Sequence, residues 1–242
     1  MKHGSSVFAI DAGNTSIKVA LFVNGQLETV RRFDVAASAD LGEWLDAQAH
    51  EAIVLSSVLT AEKTEELFGA RMPVFQISLA SKLPLSVHYS SPSLGMDRLC
   101  NAAYVHAHIQ TQHAVSIDIG TCIKFDLVHR ENGYLGGSIS PGIDLRFRAL
   151  HTDTGNLPLL SNKTPLALVG NSTETSMRSG VMNGIAAEIQ GMIDRYTGEY
   201  PDLTFFVTGG NAGIFEFHSK NNIFADENLT LKGLFEIYKH NA

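Results

Sequence analysis

The stretch IDAGNTSIKVALF, Ile10 to Phe22, returns in shortened form as IDIGTCIKFDLV, Ile117 to Val128, with one residue fewer before the threonine. Each reads as an apolar strand ending in an aspartate, a polar turn with a glycine, and a second apolar strand. A further turn follows in each copy, NGQ in the first and ENG in the second, and then a third strand. Asp118 lies 107 residues after Asp11. That period is far too long for a solenoid repeat and suits a duplicated domain of ordinary size. The expectation is an α/β protein of two related domains, 1–112 and 113–242.

Between the copies the pattern alternates. Leu41 to Ala49 and Ala61 to Phe68 read as helices, Ala52 to Ser56 and Val74 to Ile77 as short strands, and SVHYSSPSLGMDRL as a turn-rich run into a helix reaching about Ile109. In the second half Met177, Val181, Ile185, Ile189, Met192 and Ile193 recur at helical spacing. Asn171 followed by Glu174 suggests a capping box at its start. Gly180, Gly184 and Gly191 each cost that helix about 1 kcal/mol against alanine, which points either to another backbone packed against it or to three glycines that are simply tolerated. LTFFVTGG reads as a buried strand and LTLKGLFEIYKH as a closing amphipathic helix.

At 242 residues, with 44% hydrophobic and 18% charged residues, the chain has the composition of a globular protein. No run approaches the roughly 20 apolar residues that cross a bilayer. The start MKHGSSVFAI enters a strand pattern without a signal-like segment, so a cytoplasmic address is expected, with no membrane partner. A formal charge of -7 and the lack of a Lys/Arg cluster argue against a nucleic-acid partner. Cys100 and Cys122 have no metal or redox spacing. His106 and His108 project to different sides of a helix, which disfavours a metal site there.

The repeated hairpins carry chemistry. A glycine that takes positive φ can bring backbone amides to an anion, and Thr15 or Thr121 adds a hydroxyl donor. Asp11 and Asp118 would repel phosphate unless a cation stood between, so the pattern suits a nucleotide with its metal ion. No G-x-x-x-x-G-K-[ST] occurs, which argues against a P-loop kinase.

With DAGNT, LGMDR followed by Asn101, DIGT, GGSISPG, the Asn-Leu-Pro segment, GNSTETSMRSG, TGGNA and LTLKGL in order, the chain resembles the type III pantothenate kinases over nearly its full length. These belong to the superfamily of acetate kinase, sugar kinases, heat-shock ATPases and actin. The resemblance implies two duplicated ribonuclease-H-like domains with an ATP cleft between them, and phosphorylation of pantothenate as the first step toward coenzyme A. It also implies Mg2+ with ATP, a monovalent cation (K+ or NH4+), and a homodimer formed through the glycine-bearing helix from Thr173 to Tyr196. Other outcomes that the fold allows are a kinase of another small hydroxylated substrate and a non-catalytic nucleotide-binding regulator.

By the same resemblance ATP is bound by Asp11, Ala12, Gly13, Asn14, Thr15, Ser16 and Ile17 and by Thr121, while Asp118 holds the monovalent cation; Lys18 is not fixed by the family and is read either as a charge on the triphosphate or as a solvated strand end. Pantothenate is bound by Tyr89, by Gly95, Met96, Asp97 and Arg98, and by Thr173. Asp97 is the expected catalytic base: it follows a glycine that admits substrate closely, and it opens a helix, where an anion is favoured. Lys124, the counterpart of Lys18, stands where relatives often carry a small hydroxyl residue. His151 and Asp153 lie near these segments without an expected role.

Overall fold

In a computed structural model, residues 5–242 are described except 15, 70, 72, 73, 162, 163, 165 and 166. The chain forms two units, Met1–His108 with Asn228–Ala242, and Ile109–Glu227. Each contains one five-stranded sheet. The boundary lies four residues before the expected one, and the closing helix joins the first unit rather than the second.

In the first unit β1 (Ser6–Ala12), β2 (Ser16–Val23) and β3 (Gln26–Asp34) form an antiparallel meander. The expected NGQ turn joins the last two, with Asn24 at φ 51° and Gly25 at φ 80°. β4 (Ala52–Ser57) then pairs parallel with β1, and β5 (Val74–Gln76) parallel with β4. Helices cover the intervening crossovers, as parallel pairing requires: α1 (Ser38–Asp46) precedes β4 and α2 (Ala61–Phe68) precedes β5. α1 begins three residues before the expected start, placing Asp40 in its first turn, where the helix dipole favours an anion. The core interleaves Phe8, Ile10 and Val19 from the sheet with Leu41, Leu45 and Phe68 from the helices. Each fully buried side chain of this size contributes about 1.5–3 kcal/mol.

α3 (Met96–His108) and α6 (Leu229–Asn241) complete this unit. They cross so closely that a Cβ on Gly233 would lie 1.8 Å from the Cys100 carbonyl oxygen, which is why LTLKGL has a glycine at its centre. Thr230 Oγ1 donates to Asn101 Oδ1 at 2.8 Å, and the Phe235 ring stacks on Phe22 of β2 at 4.1 Å between centroids. These contacts bind the chain's last helix to its first sheet.

The second unit repeats the plan. β6 (His113–Ile119), β7 (Cys122–His129) and β8 (Gly133–Pro141) form the meander, and β9 (Leu203–Thr208) and β10 (Ile223–Ala225) add in parallel on the far side of β6. Even the irregularity is copied: the register shifts at Leu21/Phe22 in the first meander and at Leu127/Val128 in the second. α4 (Ile143–Thr152) and the long α5 (Thr173–Glu199) pack on this sheet through Phe147, Ile185, Ile189 and Ile193.

Candidate active site

Asp11 closes β1, and the strand register sets Lys18 of β2 directly opposite it. The loop between them is closed by the Gly13 amide donating to the Ser16 carbonyl at 3.0 Å. In the second hairpin the Gly120 amide donates to the Cys122 carbonyl at 3.0 Å, the same closure with one residue fewer. Neither glycine takes positive φ, contrary to expectation. Their amides are engaged within the hairpin, and what glycine supplies is room: a Cβ on Gly13 would press the Ser16 oxygen at 3.2 Å. Ala12 and Ile17 are buried and anchor the hairpin, whereas Asn14 is exposed at its tip and Ser16 half-buried. Thr15 lies outside the described residues.

The expected acceptor segment lies in the same unit. Asp97 sits in the first turn of α3, and its Oδ1 accepts the Arg98 backbone amide at 2.8 Å. The carboxylate is folded back over Gly95, where a Cβ would stand 2.6 Å from Oδ1. Gly95 therefore makes space for the carboxylate itself. Arg98 is buried, with its guanidinium 5.6 Å from the Tyr89 ring centroid and Nη1 within 3.4 Å of the Tyr89 hydroxyl. Tyr89 thus lies against Arg98 of the same segment. Beneath them, burial pushes the Cys100 thiol well up from its ordinary value, and the charges of Asp11 and Asp97 push it further. One buried sulfur feels both carboxylates, so the hairpin aspartate and the expected base share one region of this unit.

Around the second hairpin the packing is tighter. Lys124 lies opposite Asp118 across the strands, and its Nζ is 2.7 Å from Asp118 Oδ2, both side chains being 13% exposed. The Gly142 amide donates to the Thr121 carbonyl at 2.9 Å, and a Cβ on Gly142 would stand 2.3 Å from the Gly120 oxygen. From the other side Gly209, at φ 101°, approaches so closely that a Cβ would be 2.5 Å from the Ile119 backbone and 2.6 Å from Asp118 Oδ1. The Asn211 amide donates to the Ile119 carbonyl at 3.0 Å. Thr121 is left exposed at the tip. Among the described residues no cluster of three or more His, Cys, Asp or Glu could hold a metal ion.

Twin Asp-Gly hairpins and an aspartate held at a helix start form the arrangement that the sequence comparisons address. The family model described as type III pantothenate kinase matches residues 7–195. The chain belongs to the type III pantothenate kinases. The type III pantothenate kinase of Christiangramia forsetii is 38% identical over 236 residues, covering 96% of this chain and 97% of that protein. That of Flavobacterium psychrophilum is 36% identical over 238 residues, covering 97% and 99%. Among solved structures, a conserved protein assigned to the Baf family of transcriptional activators from Campylobacter jejuni superposes with a TM-score of 0.60 at 18% identity, covering 98% of each chain, a likeness of fold.

For a pantothenate kinase the start of α5 is informative. Ser172, not Asn171, is the N-cap, and its partner is Thr175, not Glu174: Ser172 Oγ accepts the Thr175 amide and Thr175 Oγ1 accepts the Ser172 amide at 2.9 Å. A threonine three residues after a serine closes the box as Glu or Gln does elsewhere. Thr173 is then the first helical residue, exposed, with the capping done by its neighbours. His151 Nδ1 donates to the Leu157 carbonyl at 2.7 Å and Asp153 caps α4, so both serve the loop that carries the Asn-Leu-Pro segment. No described helix is long and apolar enough to cross a membrane. Sequence reasoning gave no role to Gly142, Gly209 and Asn211, although it quoted their motifs; glycines beside short polar residues after a strand were the available signal.

Proposed function

We infer that this chain transfers the γ-phosphate of ATP to the hydroxyl of pantothenate, giving 4'-phosphopantothenate for coenzyme A synthesis in the cytoplasm. The family match over residues 7–195 carries the inference. The fold of each unit supports it, because each places an aspartate near the end of the strand that enters a glycine hairpin. In this reading the hairpin residues Asp11 to Lys18 and Thr121 bind the nucleotide. Mg2+ arrives with ATP and supplies charge neutralisation; a half-buried carboxylate such as Asp11 is a fitting hard oxygen donor for it.

Asp97 takes the proton. The pantothenate oxygen forms its bond to the γ-phosphorus, the bond to the ADP oxygen breaks, and the hydroxyl proton passes to the Asp97 carboxylate. Arg98 and Tyr89 bind pantothenate beside it, and Gly95 and Met96 keep the approach narrow. Thr173, whose hydroxyl the helix cap leaves unused, contributes from the start of α5. Coupled ATP consumption tests the assignment: pantothenate should support turnover well above other hydroxylated acids and sugars. Equal or no turnover with pantothenate would overturn it.

The same reading includes a homodimer through α5. Among the described residues, nothing outside the helix's own backbone lies within 4 Å of a Cβ built on Gly180, Gly184 or Gly191. The backbone that these glycines were expected to meet is then that of a second copy. Light scattering at micromolar concentration should return twice the chain mass, and a monomeric mass would exclude the arrangement.

A further inference from the structure

We propose that Lys124 is the built-in monovalent cation of the second hairpin, so that turnover requires neither potassium nor ammonium. A free monovalent ion was expected on Asp118, and the residues present do not fit one. Asp118 Oδ2 is taken by Lys124 Nζ at 2.7 Å, with both side chains largely buried. An ion placed there would meet the ammonium as a like charge at short range.

The lysine is held in place. Asp118 and Lys124 are directly opposite in an antiparallel pair whose register is fixed by the buried Ile123 and Phe125 on either side of Lys124. Slipping by one residue would turn those apolar side chains out of the core. A lysine ammonium is chemically an alkylated ammonium ion of charge +1, so it cancels the aspartate's repulsion of phosphate as a bound ion would. Unlike a bound ion, it cannot dissociate. Lys124 is a positioning residue: it acts on the nucleotide through Asp118 and the loop that Asp118 closes.

The proposal rests on the kinase reading, and the experiment separates the two. Turnover and ATP affinity are measured for the natural chain and for Lys124→Ser, in potassium chloride and in tetramethylammonium chloride at equal ionic strength. The natural chain should show the same values in both salts within about twofold. Lys124→Ser should lose about tenfold or more in tetramethylammonium and recover in potassium or ammonium, which a merely structural lysine would not produce. Lys124→Arg, which keeps the charge, should stay indifferent to the salt. A natural chain that needs potassium overturns the proposal, and so does a folded Lys124→Ser that ignores the salt. If Lys124→Ser does not fold, the two-salt comparison on the natural chain still decides. ATP binding without phosphorylation of pantothenate would overturn the kinase reading and leave the affinity comparison to judge Lys124.

Discussion

The two hairpins share topology, strand register and even the position of the register shift, yet their surroundings differ. The first shares its unit with the helix start that carries Asp97, and Cys100 beneath feels both aspartates. The second is walled by Gly142, the N-cap of α4, and by Gly209, and Lys124 Nζ lies 2.7 Å from its aspartate. A duplicated frame therefore fixes where a carboxylate sits. What surrounds the carboxylate differs between the copies: the start of α3 lies in the same unit as Asp11, whereas Gly142, Gly209 and Lys124 lie against the second hairpin.

The largest expected effect breaks the first half of the comparison. Asp97→Asn keeps the side chain's shape and removes its basicity, so turnover at saturating substrates should fall by a factor of about 100 to 10,000, or roughly 3–5 kcal/mol of transition-state stabilisation. ATP affinity should change little, because the nucleotide is assigned to the hairpins. Turnover within a few-fold of the parent would make Asp97 a helix-start residue only.

Next in size is the contrast in packing. Gly209→Ala puts a methyl 2.5 Å from the Ile119 backbone at a φ of 101°, so it should cost about 2–4 kcal/mol in denaturant unfolding. Among the described residues Gly13→Ala meets only the Ser16 oxygen at 3.2 Å and should cost about 1 kcal/mol or less. Equal losses would mean that the second hairpin is no more tightly enclosed than the first.

The smallest effect concerns the two cysteines. The folded-state pKa of Cys100 is raised by burial, with Asp11 and Asp97 adding to it. Its contribution is therefore complete below the ordinary thiol value of 9.0 and is lost as pH rises above it, since the unfolded chain then releases a proton that the folded chain keeps. Stability should fall by up to about 1.4 kcal/mol per pH unit in that range from this group. Cys100→Ala should flatten the slope, whatever it does to stability at neutral pH. Alkylation at pH 8 should modify half-buried Cys122 before Cys100. An unchanged slope, or Cys100 reacting first, would contradict the burial that links the two carboxylates.

Much of this was legible in the sequence because it is local. Strand alternation, the NGQ and ENG turns and the apolar face of α5 depend on residues a few positions apart, and the repeat announced the duplicated meander. The capping box was displaced by one residue because several residues of GNSTETS can cap, and only the backbone path selects Ser172 and Thr175. The closing helix was assigned to the wrong half by its place in the chain, since nothing local tells Gly233 that its partner is the Cys100 carbonyl.

By itself the sequence determined the family, the two sheets and the identity of the acidic residues, since motif order and apolar period survive without coordinates. Only the tertiary structure decided that Gly95 makes room for the Asp97 carboxylate, that Gly142 and Gly209 enclose the second hairpin, and that Lys124 reaches Asp118. Those are close approaches between backbones and charges, 2.7 Å for the Lys124–Asp118 pair, brought together by packing. Their energy falls off steeply with distance, and a linear sequence records no distance between residues far apart in the chain.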